Sequence, residues 1–339
     1  MAYIYTAFDP VDDIVTEVAE VQTAPIWSDN TATLESFFTS STQSGSTNVA
    51  SYLDILNGTA ATSTTQFAIA YGHYAGSGSV DYDNTSKPGV SPSRAIYGQY
   101  ANLLLADGTD KFTVAGSEID DILVVNINRA RFKEQLDPGN WQLNLDGNGK
   151  QSSDILHLVD DSDSATSTIN EAGRVYNVVS GSITDGPFST IASHSFGKVF
   201  VDQGVIILDP TKIGDATTYV RSVGSNTFGD NVGKFLNTIT GSANSATPKF
   251  TARNKEEVKS THYFVRVKNQ AYNYSDNPTF VTGSDATLRY ADFKNNPNTY
   301  ITTVGMYDEA DNCLAIAKLS KPLLKSFSRE ALIKVKLEY

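Results

Sequence analysis

The 339-residue chain carries 38 Asp and Glu against 26 Lys and Arg, a formal net charge of −12, which argues against a nucleic-acid scaffold because phosphate binding needs clustered cations. Hydrophobic residues make up 40 %, with 17 Tyr and 16 Phe; the chain can therefore build a core, yet no apolar run approaches the roughly 20 residues of a membrane helix. The single Cys313 rules out an internal disulfide and any CxxC metal knuckle, as expected of a protein folding in a reducing cytoplasm, and Met1-Ala2-Tyr3-Ile4-Tyr5 has neither the basic nor the apolar region of a signal peptide.

Charged residues are only 19 %, below the usual quarter. Thr, Ser, Asn and Gly fill the gap, a composition suited to strands, turns and surfaces that a partner covers. Residues 1–60 lack a regular pattern. Val11 to Val18 is short and mixed, Pro25-Ile26-Trp27-Ser28 follows, and Thr39 to Thr47 is rich in Ser, Thr and Gly. This region reads as an extended N-terminal arm or long loop, or equally as an irregular segment lying on its own domain. A body over 61–250 comes next. Gln66 to Tyr71 alternates as a strand, and the glycines between Gly72 and Gly78 break it.

One packing helix is expected near 92–106. Ser91 is placed to cap it and Pro92 to occupy its first position. Ile96, Tyr97, Tyr100, Leu103 and Leu104 fall on one face, a stripe that belongs to a core far more often than to a cofactor site. Ile122 to Arg129, Trp141 to Leu145, Ile155 to Val159, Val175 to Val179 and Val199 to Leu208 then read as strands separated by Gly, Asp, Asn and Pro turns. Residues 211–249 are poor in apolar groups. They read as a long excursion or short helical insertion, anchored by Phe228, Phe235 and Leu236.

The last module, 251–339, has the sharpest pattern. His262 to Val267 is a strand, and Tyr300 to Tyr307 and Cys313 to Leu319 flank the turn Asp308-Glu309-Ala310-Asp311-Asn312 as a hairpin. From Ile333 to Tyr339 apolar and charged residues alternate, so the final strand closes a sheet and its removal is expected to be costly. Asn277-Pro278 and Asn296-Pro297 bracket a loop that either reaches a neighbour or packs on the surface. The architecture implied is mainly β, an antiparallel sandwich or barrel with one or two short helices.

Catalytic signatures are missing. His73, His157, His194 and His262 show no metal-ligand spacing, and His157 fits a surface strand position. There is no phosphate loop, dinucleotide fingerprint or GxSxG elbow. Asp160-Asp161-Ser162-Asp163 with Glu171 at the twelfth position resembles a calcium loop. Ala165 at the sixth position and the absence of flanking helices favour a solvated acidic loop instead. No catalytic residue, cofactor or metal site is expected. Arg129, Arg131 and Lys133 end one strand, and Lys318, Lys321, Lys325, Lys334 and Lys336 decorate the last module. Singly these are edge lysines that discourage aggregation; as a group they suit the acidic face of a neighbour.

Tyr263 to Val267, Tyr272 to Thr279, Tyr300 to Tyr307 and Leu314 to Pro322 resemble segments of virion proteins from large contractile-tailed, T4-like cyanophages. Val11 to Val18 and Arg129 to Trp141 have the same character. What the resemblance implies is a structural subunit of the virion, assembled in the host cytoplasm, tail or baseplate first and neck or capsid-associated second. Its partners would be other virion proteins and further copies of itself, with no nucleic acid and no membrane. A glycan-binding tail protein is the alternative, suggested by β-richness, Trp27 and Trp141.

Overall fold

A computed structural model describes residues 6–35, 37–39, 52–57, 64–76, 92–147, 155–188, 192–224, 227–240, 249–283 and 285–338. Ser91, Gly78, Asn148, Gly149 and most of the Thr39 to Thr47 stretch lie outside them. Strands account for 49 % and helices for 13 %, so the chain is mainly β, as its periodicity implies. The longer elements in chain order are β1 (Ile14–Pro25), β2 (Tyr52–Asn57), β3 (Thr65–His73), α1 (Ser93–Leu104), β4 (Asp121–Ile127), β5 (Gln135–Asp146), β6 (Ile155–Asp160) and β7 (Gly173–Ser182). They continue with β8 (Gly197–Phe200), β9 (Val205–Leu208), α2 (Pro210–Ala216), α3 (Asp230–Thr240), β10 (Phe250–Val267), β11 (Thr299–Tyr307), β12 (Cys313–Lys325) and β13 (Ala331–Glu338). Two compact units result: Val21–Glu256, and Glu257–Tyr339 together with the N-terminal residues up to Glu20. These boundaries differ from breaks at 60 and 250, because β1 and β10 are long strands that each contribute to both units.

In the larger unit the sheet runs β10-β5-β6-β7-β8-β9-β4-β3-β2 through antiparallel neighbours. Its central strands are apolar on both faces. Leu123, Val125, Ile127, Ile206 and Leu208 enter one core, while Ile122, Val124, Val205 and Ile207 enter another. This is the period-two alternation of a strand with both faces covered. Helix α1 covers the second core with Ile96, Tyr97, Tyr100, Ala101 and Leu104, but Leu103, expected on that face, is 49 % exposed. Pro92 stands at the N-cap, not at the first helical position. The buried Tyr97 hydroxyl donates to the Ile119 carbonyl (2.8 Å) and accepts from the Phe112 N–H (3.0 Å), pinning the helix. Gly72 is inside β3, not in a turn. A Cβ there would stand 2.8 Å from the Tyr97 backbone nitrogen, so glycine is what lets α1 approach the sheet.

The first core holds the largest side chains. Phe67 on β3 meets Phe250 on β10 edge to face, with centroids 5.3 Å apart, and Trp27 contacts both at 6.0 and 5.2 Å. Those two strands sit far apart in the sheet order, so the sheet curls until its distant strands face each other. Short of a closed barrel, segment 26–34 spans the remaining gap. Leu34 pairs with Phe250, and Gln66 exchanges hydrogen bonds with Ser28 on both sides (3.0 Å each). Ile26, Trp27 and Leu34 are buried; this part of the supposed arm lies in its own domain's core. Burying an indole of about 200 Å² contributes about 5 kcal/mol before entropy is counted.

Two further expectations change. Val199 to Leu208 is not one strand. It folds back as the β8–β9 hairpin around a turn ending in Gly204, whose φ of +67° suits glycine. The 211–249 stretch takes the helical of its two readings, but with two helices, α2 and α3, so that the described residues hold three α-helices where one or two were expected. Asp209 caps α2 by accepting from the Thr211 N–H at 2.8 Å, with Pro210 at the first helical position. Phe228, Val232, Phe235 and Ile239 reach the first core from α3 and its approach.

In the smaller unit the second half of β10 pairs antiparallel with β13, Ser260 opposite Glu338 through Val267 opposite Ala331. The β11–β12 hairpin has its own two-stranded sheet. Tyr263, Val265, Val335 and Leu337 line one side of a small apolar cleft, and Val304, Met306, Ala315 and Ala317 line the other. These side chains are half-buried, an apolar seam between the two sheets of this unit. The bracketed loop packs on itself: Phe280 stacks on Phe293 at 4.8 Å and meets Tyr274 at 5.6 Å. Lys325, expected as a surface lysine, is fully buried. Its ammonium donates to the Asn269 carbonyl (2.8 Å), Asn273 Oδ1 (3.0 Å) and the Ser326 carbonyl (2.9 Å), tying down the start of the loop.

Candidate interaction surface

Alternation along the β11–β12 hairpin sorts its side chains. With Val304, Met306, Ala315 and Ala317 in the cleft, Tyr307, Leu314 and Ile316 alternate to the other face, where Leu314 is 61 % exposed and Ile316, which also borders the cleft, 67 %. Tyr300, further along β11, is 64 % exposed. Gly305 pairs with Ile316, and a Cβ at 305 would lie 2.8 Å from the Tyr307 ring. The missing side chain therefore lets that ring lie across the hairpin. Large apolar groups grouped on a strand face are the usual mark of a surface that a partner covers.

The turn that carries this face is held by one carboxylate. Asp308 Oδ1 accepts from the N–H groups of Ala310 (2.9 Å) and Asn312 (2.7 Å), and its other oxygen accepts from Asn312 Nδ2 (2.9 Å). The Asn312 side-chain bond, foremost among these, lowers the Asp308 pKa. Residues 257–339 contain eleven Lys and Arg against nine Asp and Glu within a chain of net −12. Lys318, Lys321, Lys334 and Lys336 are exposed. Lys336 lies 2.7 Å from Glu338 and 3.3 Å from Glu20.

The residues weighed for chemistry are scattered. His73 stacks on Phe228 at 4.5 Å. His194 lies in a 3-10 turn, Ala192–His194, and His262 stands on β10 opposite Lys336. His157 is half-buried and not a surface position; its Nδ1 is 2.7 Å from Asn144 Oδ1, and burial lowers its pKa. Among the described residues no group of three or more His, Cys, Asp or Glu is arranged to hold a metal.

The calcium-like register is put to a different use. Asp160 is buried. It accepts from the Gly139 N–H (3.0 Å to each oxygen), the Ser162 N–H (3.0 Å) and the Trp141 indole N–H. Burial, ahead of these bonds, raises its pKa. Asp161, also buried, accepts from the Asn177 backbone N–H at 3.0 Å and side-chain amide at 2.8 Å. Glu171 stands exposed in the turn before β7. Asp160 and Asp161 are thus acceptors for the fold's own donors, while Asp163 and Glu171 are exposed, as a solvated acidic loop requires.

Another buried carboxylate had no sequence signature. Asp121 on β4 accepts from Arg221 Nη1 at 2.9 and 3.0 Å and from the Tyr71 hydroxyl at 3.1 Å. Burial raises its pKa against the opposing pull of Arg221. The partners are 50 and 100 residues away, a convergence that local spacing cannot show. Of the basic group ending β4, Lys133 pairs with Glu256 at 2.5 Å. Arg129 donates to the Asp202 carbonyl at 3.0 Å and lies over the Phe132 ring.

No protein-family model matches the chain, and neither a curated protein nor a solved structure matches it. No helix among the described residues is long and apolar enough to cross a membrane.

Proposed function

We propose that this chain is a non-catalytic structural subunit of a contractile-tailed bacteriophage particle, a tail or baseplate component before a neck or capsid-associated one. It acts by contact with other virion proteins and with further copies of itself. The observation that carries the reading is the outer face of the β11–β12 hairpin, where Tyr307, Leu314 and Ile316 gather on a two-stranded sheet whose inner face alone is packed. Large apolar side chains left on the outer face suit a surface that a neighbouring subunit covers. The resemblance of residues 263–322 to virion proteins falls on the same region, and the basic excess of 257–339 suits an acidic neighbour such as the rest of a second copy. The glycan-binding alternative, suggested by β-richness and by aromatics including Trp27 and Trp141, loses those two tryptophans as a sugar platform, since both are interior. Mass spectrometry of purified particles tests the proposal: the chain is expected at stoichiometric abundance, and its absence from virions overturns the reading.

A further inference from the structure

On the α1 side of the larger unit, a cleft of about 160 Å³ opens between the end of α1, the loop after β6 and the β7–β8 strands. At about 30 Å³ per water, that is room for some five or six heavy atoms. Leu105, Val175 and Phe200 give it an apolar wall, and Lys198, Thr166 and Thr168 give it hydrogen-bond donors. Lys198 is half-buried, yet among the described residues its ammonium has no acidic partner within salt-bridge distance and no hydrogen-bond acceptor. Its Nζ is not among the fully buried unpaired polar atoms, so the ammonium keeps contact with water at the cleft and stays open to an anion that enters. Asp161, the one carboxylate in the wall, is engaged by the two Asn177 donors. Lys325 shows what a satisfied buried lysine looks like in this protein, with three oxygen acceptors.

We infer that this cleft is a binding site for a small monocarboxylate with a short apolar tail, its carboxylate held by Lys198 with the Thr166 and Thr168 hydroxyls and its tail on Val175 and Phe200. The single cation balances one negative charge. Asp161 in the same wall disfavours a second, so doubly charged phosphate is rejected. Burial lowers the Lys198 pKa from its ordinary value, as an ammonium without a counter-ion requires.

The test is butyrate titrated into the full-length, isotope-labelled protein, followed by amide chemical shifts, with inorganic phosphate as the comparison anion. Saturable shifts are expected at 166–168, 175–177 and 198 with a dissociation constant in the millimolar range, and phosphate is expected to leave them unmoved. Lys198→Met should weaken binding by at least about tenfold, the loss of one charge-assisted contact, while Lys198→Arg retains it. Thr168→Val, at an exposed strand position, should weaken it several-fold and covers the case of an ill-folded Lys198 variant. No shift in the wild type with butyrate, equal shifts with phosphate, or undiminished binding in well-folded Lys198→Met would each overturn the assignment.

Discussion

Replacing Asp160 by alanine tests the use made of the acidic loop. The substitution removes the only carboxylate that the Gly139, Ser162 and Trp141 N–H groups share. A buried donor left without a partner costs about 1–3 kcal/mol, so three give a ceiling of roughly 9 kcal/mol. Two effects reduce it. Water can enter the vacated space, and the variant no longer buries a carboxylate whose raised pKa marks a desolvation cost. A net loss of about 3 kcal/mol is expected, and with about 2–4 °C per kcal/mol for a unit of this size the midpoint should fall by about 10 °C. Asp160→Asn keeps one acceptor oxygen and should lose about half as much. The assay is urea and thermal unfolding followed by tryptophan fluorescence, since both Trp residues are buried, with a parallel melt in excess chelator. If Asp160→Ala unfolds within about 0.5 kcal/mol of wild type, the scale of an ordinary surface change, the reasoning is refuted. A wild-type midpoint lowered by the chelator refutes it too, in favour of a bound cation.

Other expectations follow from the same geometry. Trp27→Ala, measured by denaturant midpoint, should cost about 3–5 kcal/mol through the cavity it leaves among Phe67 and Phe250; a cost below about 1 kcal/mol would return this segment to a loose arm. Arg221→Ala leaves the buried Asp121 carboxylate without its cation and should cost about 1–3 kcal/mol at neutral pH, discounted because Arg221 is 36 % exposed. That loss should shrink as pH falls through the raised folded pKa of Asp121, because the protonated acid needs no counter-ion; a pH-independent loss contradicts the assignment. For His157 the pKa shift is downward: its folded pKa lies below the unfolded one, near 6.5, so its contribution is complete above that pH and is likewise lost on acidification. His157→Gln should flatten the stability difference between about pH 7 and 5, read from paired denaturant curves. Ile316→Lys should leave the melting temperature of the free chain unchanged and reduce incorporation into particles, measured by quantitative mass spectrometry. A large drop in melting temperature would place Ile316 in the core.

Local patterns carried much of this fold into view. The β11–β12 hairpin, the alternating β13 and the apolar face of α1 are written in periodicities of two and 3.6, and they fold as those periods require. The 211–249 region was obscured by its Gly, Asn and Thr content, although Asp209-Pro210 is a capping signal and Val232, Phe235 and Ile239 are spaced for one helix face. Spacing alone separated β8 from β9 poorly, because Val201 and Val205 flank a turn whose only marker is Asp202-Gln203-Gly204. What local sequence could not carry is convergence. Trp27 reaches the core because a curled sheet brings Phe67 beside Phe250, Asp121 meets Arg221 across 100 residues, and Lys325 is interior because three oxygens of a distant loop and its neighbour gather around it. The Asp160 loop misled for a related reason: its composition fits a cation, but its geometry serves the Gly139 and Trp141 donors of the adjacent strand.

Cryo-electron microscopy of the purified particle tests the proposed role most directly. The chain is predicted at symmetry-related positions with Tyr307, Leu314 and Ile316 covered by a neighbouring subunit. A particle map with no density for this chain, or one in which that face is open to solvent in every copy, contradicts it.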